Sequence, residues 1–426
     1  MQETLASLDL AHIWHPCTQM RDHETLPLIP IKSAKDVYLY DFNGNKYIDC
    51  ISSWWVNLFG HCNDYINEAI KTQLSNLEHV ILAGFTHEPI INLSKRLCDL
   101  LPNLLTKCFY ADNGSCAIEV ALKMSFHYFY NHGEKRNLFL ALNNAYHGET
   151  IGALSVSNVA LYKETYSPLL LQSLHVQAPE TQFGSYDGAI ESLEKILKQY
   201  ANKICAFILE PLIQCAGNMH MYNKAYIKEA CTLCRNYGIQ IIFDEIAVGF
   251  GRTGSMFALE QCDMIPDYLC LSKGISGGYM PLAVVITSDS IYNAFYDTNI
   301  HKAFLHSHSY TGNVLACSAA NAVLDIFQHE NIIEKNKQLS LYIKRKFFAL
   351  QDSNKVANMR ICGMVLAFEV ITKKERPNLF IFQEGLKRGI LLRPLGNTIY
   401  FMPPYVITPD VIDYVVQCLV EIIALL

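Results

Sequence analysis

A lysine and an aspartate, each at the end of a short apolar run, are the residues of this sequence best suited to chemistry. Residues 239–243 read IQIIF and precede Asp244, while residues 268–271 read YLCL and lead through Ser272 to Lys273. Such short, uninterrupted apolar runs predict strands buried on both faces. Open α/β sheets bind ligands at the carboxyl ends of these strands. The pair suits pyridoxal phosphate chemistry, in which an amine forms a Schiff base and an acid keeps the pyridine nitrogen protonated.

The glycines between Asp244 and Lys273 predict a turn rather than a nucleotide site. Residues 249–254, GFGRTG, match the GxGxxG spacing of dinucleotide-binding folds. In those folds the glycines open a helix directly after the strand, so that the phosphates lie on the helix N-terminus. Here Asp244 and Glu245 separate the strand from the glycines, so we expect a tight turn and no NAD site.

A second glycine-containing segment has the pattern of an anion site. The predicted strand at residues 107–111 runs into Asn113, Gly114 and Ser115, and residues 117–123, AIEVALK, favour a helix. Glycine lets the backbone approach a phosphate closely, while the free N–H groups and the dipole of the helix N-terminus attract its charge. The alternative is an ordinary helix cap provided by Asn113 or Ser115.

Residues 239–281 resemble the cofactor-lysine signature of class III (ω-type) aminotransferases, with an FDE strand end, the GFGRTG turn and a strand that ends in SKG. The resemblance implies an α/β fold of the PLP-dependent transferase type (fold type I), with a mostly parallel central sheet in a large domain and a smaller α+β domain. It implies that Lys273 is the Schiff-base lysine, that Asp244 partners the pyridine nitrogen and that the cofactor is pyridoxal 5'-phosphate. Taken singly, a solvated loop lysine and a helix-capping aspartate would be the simpler interpretations.

The same resemblance implies further cofactor contacts. Gly114 and Ser115 correspond to the loop that binds the cofactor phosphate, and Tyr146, in an aromatic-His-Gly turn, to the catalytic residue whose ring stacks on the cofactor. Glu210, at the end of a predicted strand, corresponds to a glutamate near the cofactor ring. Ser309 corresponds to a residue that reaches the cofactor phosphate of the partner subunit, so the resemblance implies a homodimer.

Two tryptophans and an arginine predict an apolar substrate channel. Trp54 and Trp55 are adjacent, and two large rings side by side cannot both point inward from a strand, so we expect one in the core and the other on the channel. Arg393 ends the apolar segment 389–392, where a guanidinium requires an anion, either a substrate carboxylate or an internal salt-bridge partner. The predicted substrate-binding residues are Trp54, Trp55, Tyr146, Lys273, Ser307 and Arg393.

Five segments are similar to the branch of class III that serves biotin synthesis. They are HIWHP (residues 12–16), the tryptophan pair, YHG (residues 146–148), RPLG (residues 393–396) and YFMPP (residues 400–404). The resemblance implies transamination of 8-amino-7-oxononanoate to 7,8-diaminononanoate, with S-adenosylmethionine as the first choice of amino donor. Cys17 stands where that branch usually has a tyrosine, and HSHSYTGN (residues 306–313) is closer to relatives that use lysine. Lysine is therefore the alternative donor.

Two other functions have to be weighed against this interpretation. A class III enzyme acting on ornithine or 4-aminobutyrate would keep Lys273 and Asp244 but would have less reason for the tryptophan pair. A non-catalytic regulator with the same fold would need a DNA-binding extension, and the sequence shows no basic helix-turn-helix pattern.

Composition indicates a well-buried globular enzyme. The chain has 426 residues, of which 51% are hydrophobic and 17% charged, and its net charge is −6, which argues against disorder and against a nucleic-acid partner. That length favours two subdomains. We expect residues 1–60 to join the small domain, residues 61–318 to form the large PLP-binding domain and residues 319–426 to form the C-terminal small domain.

The cysteines and the termini predict a cytoplasmic protein without a metal or a membrane segment. The fifteen cysteines are odd in number and scattered, as expected for free thiols in a reducing cytosol. The CxxC at Cys231 and Cys234 lacks a second pair, so we expect no zinc. The first ten residues lack the pattern of a signal peptide. Residues 411–426 are apolar apart from one polar stripe, which predicts an amphipathic helix.

Overall fold

The computed structural model describes residues 4–26 and 28–426. In chain order its strands are β1 (Ile31–Lys35), β2 (Tyr38–Asp41), β3 (Lys46–Asp49), β4 (Lys107–Ala111), β5 (Leu138–Leu142), β6 (Ser173–Val176), β7 (Ile204–Leu209), β8 (Ile213–Gln214), β9 (His220–Met221), β10 (Gln240–Asp244), β11 (Tyr268–Leu271), β12 (Ala283–Thr287), β13 (Val356–Cys362), β14 (Val365–Val370), β15 (Ile390–Leu391) and β16 (Thr398–Phe401).

The helices connect these strands and cover the sheets. They are α1 (Leu5–His12), α2 (Ser52–Trp55), α3 (Asp64–Leu74), α4 (Glu88–Leu100), α5 (Gly114–Asn131), α6 (Ile151–Val156), α7 (Ala160–Lys163), α8 (Asp187–Tyr200), α9 (Lys224–Asn236), α10 (Asp289–Asn293), α11 (Val314–Glu330), α12 (Ile332–Phe348), α13 (Pro377–Lys387) and α14 (Pro409–Ala424). Short 3₁₀ helices cover Met20–Glu24, Glu164–Leu169, Ala201–Lys203, Ala258–Gln261, Lys273–Ser276, Ile300–Lys302 and Ala349–Asp352.

The central sheet has seven strands in the order β4-β12-β11-β10-β7-β5-β6, and β12 alone runs against the others. Both faces of this sheet are buried. Along β10, Ile241 and Phe243 belong to one hydrophobic cluster while Ile242 between them belongs to another. Burial on both faces explains why these strands are continuous apolar runs rather than alternating ones.

The parallel direction of the strands gathers their carboxyl ends at one edge of the sheet. The strand β10 pairs in parallel with β11 through Asp244 and Cys270, and with β7 through Phe243 and Leu209. The residues that follow β4, β5, β7, β10 and β11 therefore lie along the same edge. The predicted α/β fold with a mostly parallel central sheet is confirmed, and the first predicted strand, residues 239–243, is shifted by one residue to Gln240–Asp244.

The N-terminal and C-terminal parts of the chain meet in a second sheet. Strands β1, β2 and β3 form an antiparallel meander whose last strand pairs in parallel with β15, through Ile48 and Ile390. A third sheet consists of β13, β14 and β16. The division at residues 60 and 318 stays a prediction.

The tryptophan pair does not lie on a strand, and that expectation was wrong. The φ angles of Ser52, Ser53, Trp54 and Trp55 are 51°, 44°, 72° and 73°, so α2 is one turn of left-handed backbone. Left-handed backbone costs an L-amino acid about 1–2 kcal/mol per residue. Tertiary contacts must therefore stabilise this turn, and no local sequence pattern predicts it.

Two predicted absences can be examined in the part of the chain that the structure describes. None of its helices combines the length and the apolar character needed to span a bilayer. No group of three or more His, Cys, Asp or Glu side chains within residues 4–26 and 28–426 is arranged to hold a metal ion. Cys231 and Cys234 are buried in α9 as free thiols.

Candidate active site

A cavity of about 1670 Å³ opens at the carboxyl edge of the central sheet. It brings together residues that are far apart in the sequence. The predicted site residues that line it are Trp54, Trp55, Gly114, Ser115, Tyr146, Glu210, Asp244, Lys273 and Arg393. Ser307 and Ser309 do not line it, and both are exposed.

Lys273 follows β11 and begins a 3₁₀ helix with a positive φ of 45°. The preceding Ser272 donates its hydroxyl to the carbonyl of Leu282, 2.8 Å away, which fixes the strand end. The Lys273 Nζ lies 4.3 Å from the centre of the Trp55 ring. Burial lowers the pKa of the Lys273 amine, although the nearby carboxylates act in the opposite direction. A lowered pKa favours the free amine, the form that acts as nucleophile and as base.

Asp244 is buried at the end of β10 and is held by two hydrogen bonds. One oxygen lies 2.8 Å from Nδ1 of His147, and the other accepts the backbone N–H of Ile246 at 3.1 Å. The other ring nitrogen of His147, Nε2, is buried without a hydrogen-bond partner among the described residues. The sequence pattern identified the turn that contains His147 but not its contact with Asp244.

Glu210 follows β7 and organises the loop after β5. Its carboxylate accepts the backbone N–H of Tyr146 and that of Cys215, each at 3.0 Å. Burial raises the pKa of Glu210 to about 7, against the two backbone hydrogen bonds, which lower it. The glutamate therefore places the Tyr146 backbone at the cavity wall.

Tyr146 presents its ring to the cavity and its hydroxyl to Glu149. The phenol donates to Oε1 of Glu149 at 2.9 Å, and burial, reinforced by that carboxylate, raises the pKa of Tyr146. The centre of the Tyr162 ring lies 5.4 Å away at an edge-to-face angle. Burial also raises the pKa of Tyr162, to about 12. No pattern in the sequence distinguished Tyr162.

The N-terminus of α5 has the form of an anion cradle. Asn113 caps the helix by accepting the N–H of Cys116 at 3.1 Å. The hydroxyl of Ser115 accepts the N–H of Glu149 at 3.2 Å. Gly148 has a φ of 127°, and a Cβ there would collide with the Ser115 side chain. The close approach of these two loops requires glycine and leaves the first turn of α5 open to the cavity.

These groups fit pyridoxal phosphate. The first turn of α5 offers N–H groups for a phosphate, Asp244 offers a carboxylate for a ring nitrogen, and Lys273 offers an amine for an aldehyde. The unpaired Nε2 of His147 marks a polar position beside them that the protein leaves without a partner among the described residues.

The wall opposite this cradle carries the tryptophans and Arg393. Trp55 is 4% exposed and Trp54 is 41% exposed, as expected for one buried ring and one exposed ring. Both rings border the cavity, however, so Trp55 is not confined to the core. The Cζ of Arg393 lies 4.9 Å from the centre of the Trp54 ring. Arg393 is half-buried and donates to the carbonyl of Cys17 at 3.0 Å. Among the described residues it forms no salt bridge, so the internal ion pair weighed as an alternative is absent there.

Three comparisons place this site among known proteins. Residues 18–423 match the family model described as aminotransferase class-III. The chain is 56% identical over 430 residues to the adenosylmethionine-8-amino-7-oxononanoate aminotransferase of Helicobacter pylori, which covers 99% of this chain and 98% of that protein. The crystal structure of the enzyme of that name from Methanocaldococcus jannaschii superposes with a TM-score of 0.93 at 36% identity, over 99% of this chain and 98% of the other.

A solved structure with a bound cofactor form is also similar. The omega transaminase of Pseudomonas jessenii in complex with PMP superposes with a TM-score of 0.94 at 25% identity, over 99% of this chain and 98% of that chain. The agreement extends over nearly the whole chain, so the central sheet and the smaller sheets take part in it.

Borohydride reduction tests the position of the reactive amine. Reducing the enzyme loaded with pyridoxal phosphate and mapping its peptides by mass spectrometry is expected to place the pyridoxyl group on Lys273. The variant Lys273→Ala is expected to fold, to lose the label and to lose at least about a hundredfold in turnover. Lys302→Ala removes an amine that pairs with Asp297 instead, and it should keep both label and turnover. A label on another lysine, or an active Lys273→Ala enzyme, would contradict the assignment.

Proposed function

Because the chain belongs to the class III aminotransferases, we propose that it transfers an amino group to 8-amino-7-oxononanoate and forms 7,8-diaminononanoate in biotin biosynthesis. The enzyme is a pyridoxal-phosphate-dependent transaminase. The observation that carries the choice of substrate is the similarity, over nearly the full chain, to relatives named for this reaction. The geometry of the cavity supports it independently.

The cavity suits a long aliphatic keto acid. Such an acceptor needs an apolar corridor beside the reacting amine and a cation for its distant carboxylate. Trp54 and Trp55 supply apolar wall between Lys273 and Arg393. In this structure the Arg393 guanidinium bonds only to a backbone carbonyl among the described residues, so it can accept a carboxylate without giving up an ion pair.

When it is bound, pyridoxal phosphate supplies an electron sink that stabilises negative charge on the substrate carbon and carries the amino group between substrates. The residues of this chain bind and orient it: the first turn of α5 with Ser115 for its phosphate, Asp244 for its ring nitrogen, Tyr146 and Glu210 for the walls beside the ring. The hydrogen bond from His147 holds the Asp244 carboxylate in place, so that the carboxylate can keep that nitrogen protonated.

Lys273 is the group that moves protons in this proposal. With the cofactor bound, the lowered pKa of the Lys273 amine would keep it able to accept a proton from the substrate carbon. The position of Nζ against the Trp55 ring keeps the amine beside the apolar wall that would hold the acceptor chain.

The amino donor in this proposal is S-adenosylmethionine, with lysine as the alternative. The names of the similar proteins from Helicobacter pylori and Geobacter sulfurreducens support the first donor. Cys17 and the segment HSHSYTGN support the second. Cys17 borders the cavity with its thiol 4.0 Å from the hydroxyl of Tyr162, so the residue at this position would contact a donor directly.

We also propose that two copies of the chain share their active sites, and that the enzyme works in the cytoplasm on small molecules, without nucleic-acid or membrane partners. Ser307 and Ser309 are exposed and lie outside the cavity of their own chain. In a homodimer, Ser309 would complete the phosphate site of the partner, and Ser307 would contact the partner's substrate. The many free thiols support a reducing compartment.

Arginine variants test the carboxylate site. Arg393→Ala is expected to raise KM for 8-amino-7-oxononanoate by about 10- to 100-fold, because it removes a charge-assisted hydrogen bond worth about 1.5–3 kcal/mol. Arg376 borders the same cavity, but its guanidinium is occupied by Asp22, with both contacts at 2.7 Å. Arg376→Ala should therefore change KM by less than about threefold. Product formation measured by mass spectrometry gives both values, and equal effects would count against the proposal.

Subunit complementation tests the shared sites. Lys273→Ala and Ser309→Glu chains are each expected to form inactive homodimers, the second because a carboxylate repels the phosphate of the cofactor. A mixed dimer contains one site with neither defect and one site with both. Unfolding and refolding the two variants together should therefore restore activity, up to half per mixed dimer. Absence of any recovery, with mixed dimers present, would show that Ser309 does not serve the partner's site.

A further inference from the structure

Arg252, in the GFGRTG segment, is the largest side chain that the structure buries almost completely, at 1% exposure. Its partners are backbone carbonyls rather than carboxylates. It donates to Pro403 and Asn57 at 2.8 Å each and to Trp55 at 3.4 Å. Burial lowers the pKa of Arg252, but a guanidinium keeps its charge in proteins. The Cζ of Arg252 also lies 4.9 Å from the centre of the Tyr405 ring. Because a buried charge without a carboxylate partner is costly, its presence calls for a physical reason.

The carbonyls belong to two segments that build the substrate wall. Trp55 and Asn57 lie in and after the left-handed turn, and Pro403 follows β16. A second contact joins the same segments, because the hydroxyl of Ser52 donates to the carbonyl of Met402 at 2.7 Å. Side-chain hydrogen bonds thus attach the turn to the end of β16 at two points. The backbone N–H of Met402 also donates to the carbonyl of Cys50, just before the turn, at 2.9 Å.

The turn needs such restraint because its backbone is disfavoured. Four successive residues with positive φ, none of them glycine, persist only when surrounding contacts fix them. The planar guanidinium of arginine offers five N–H donors in a fixed fork, whereas a lysine ammonium is a point charge on a flexible stem. One arginine can bind three carbonyls from two segments, and a lysine in its place would release some of them.

We infer that Arg252 is a positioning residue for the substrate channel. By fixing the left-handed turn it holds Trp55 against the Lys273 amine and Trp54 against the Arg393 guanidinium. It does not border the cavity, so it acts through the tryptophans rather than on the substrate. This inference rests on the proposed function for the identity of the acceptor, and it gives the GFGRTG turn a role that its glycine spacing does not reveal.

Arg136 provides a matched control. Its guanidinium also binds backbone carbonyls, those of Ile204 and Gly238 at 3.1 Å and that of Tyr237 at 3.4 Å. Its side chain is also largely buried, and it differs from Arg252 in one further contact, from its Nε to Glu134 at 2.8 Å. The carbonyls lie at the amino ends of β7 and β10, at the edge of the central sheet opposite the cavity. Losing this arginine should weaken the fold without disturbing the channel.

The test compares Arg252→Lys with Arg136→Lys in the cofactor-loaded enzyme. Both variants are expected to melt at a lower temperature. Arg252→Lys alone should raise KM for 8-amino-7-oxononanoate by at least about tenfold while kcat stays within about threefold. In a Trp54→Ala background the same substitution should change KM by less than about threefold, because its effect passes through that ring. An unchanged KM, or an effect that is the same with and without Trp54, would overturn the inference.

A readout without substrate separates this inference from the proposed function. In a Trp14→Phe background the remaining tryptophans are Trp54 and Trp55, and acrylamide quenching of their fluorescence reports their exposure. Arg252→Lys should increase quenching by at least about half, whereas Arg136→Lys should leave it unchanged. If the wild-type enzyme does not convert 8-amino-7-oxononanoate, only the proposed function is overturned. If quenching is equal in both variants, the role of Arg252 is overturned.

Ser52→Ala covers the case in which Arg252→Lys does not fold. It removes the hydrogen bond from the Ser52 hydroxyl to the Met402 carbonyl at the end of β16, and it leaves the arginine in place. Ser52→Ala should raise KM by at least about twofold. It should also increase acrylamide quenching by at least about one quarter. A folded Ser52→Ala enzyme with unchanged KM and quenching would contradict the positioning of the tryptophans by these contacts.

Discussion

The structure depends on providing hydrogen-bond partners for buried ionisable side chains at one edge of the central sheet. An isolated carboxylate or amine in such a place would lose its charge, because transfer from water costs several kcal/mol per ion. Asp244 is held by His147 and a backbone N–H, while Glu210 accepts two backbone N–H groups, although burial still raises its pKa to about 7. Lys273 lies close enough to these carboxylates for them to oppose the loss of its proton. The parallel strands fix all of these positions, because each residue lies at the carboxyl end of a strand or within two residues after it.

The apolar side of the cavity depends on a different constraint. Its tryptophans stand on backbone that an L-residue adopts only under restraint, and the restraint comes from Arg252 and from the Ser52–Met402 contact. The position of the wall that carries Lys273, Asp244 and Glu210 therefore depends on the ends of the central strands. The other follows from contacts between segments separated by roughly 150 to 350 residues in the chain.

These two constraints explain which parts of the structure could be predicted from the sequence and which could not. The strand Tyr268–Leu271 lies at the predicted position, because an uninterrupted apolar run between polar residues indicates burial on both faces. The left-handed turn at Trp54 and Trp55 could not be predicted, since no glycine marks it and its cause lies in distant carbonyl contacts.

The same distinction applies to the site residues. Asp244 and Lys273 were predicted from their places at strand ends, and Tyr146 and Glu210 from the family resemblance. All four line the cavity, because strand ends gather at one edge of the sheet. The contact between His147 and Asp244 joins two loops, and Tyr162 reaches the cavity from a short helix without a distinctive pattern. Ser307 and Ser309, inferred from the resemblance alone, lie outside the cavity of their own chain, so their roles stay predictions that concern an assembly of two chains.

The most direct test of the central claim follows the absorbance of the bound cofactor through each half of the reaction. Enzyme loaded with pyridoxal phosphate would be mixed with S-adenosylmethionine, or separately with lysine, and then with 8-amino-7-oxononanoate. The account predicts that one of the two donors converts the spectrum to that of the amine form and that the keto acid reverses it. Conversion by ornithine or 4-aminobutyrate alone, with no response to 8-amino-7-oxononanoate, would contradict the proposed reaction.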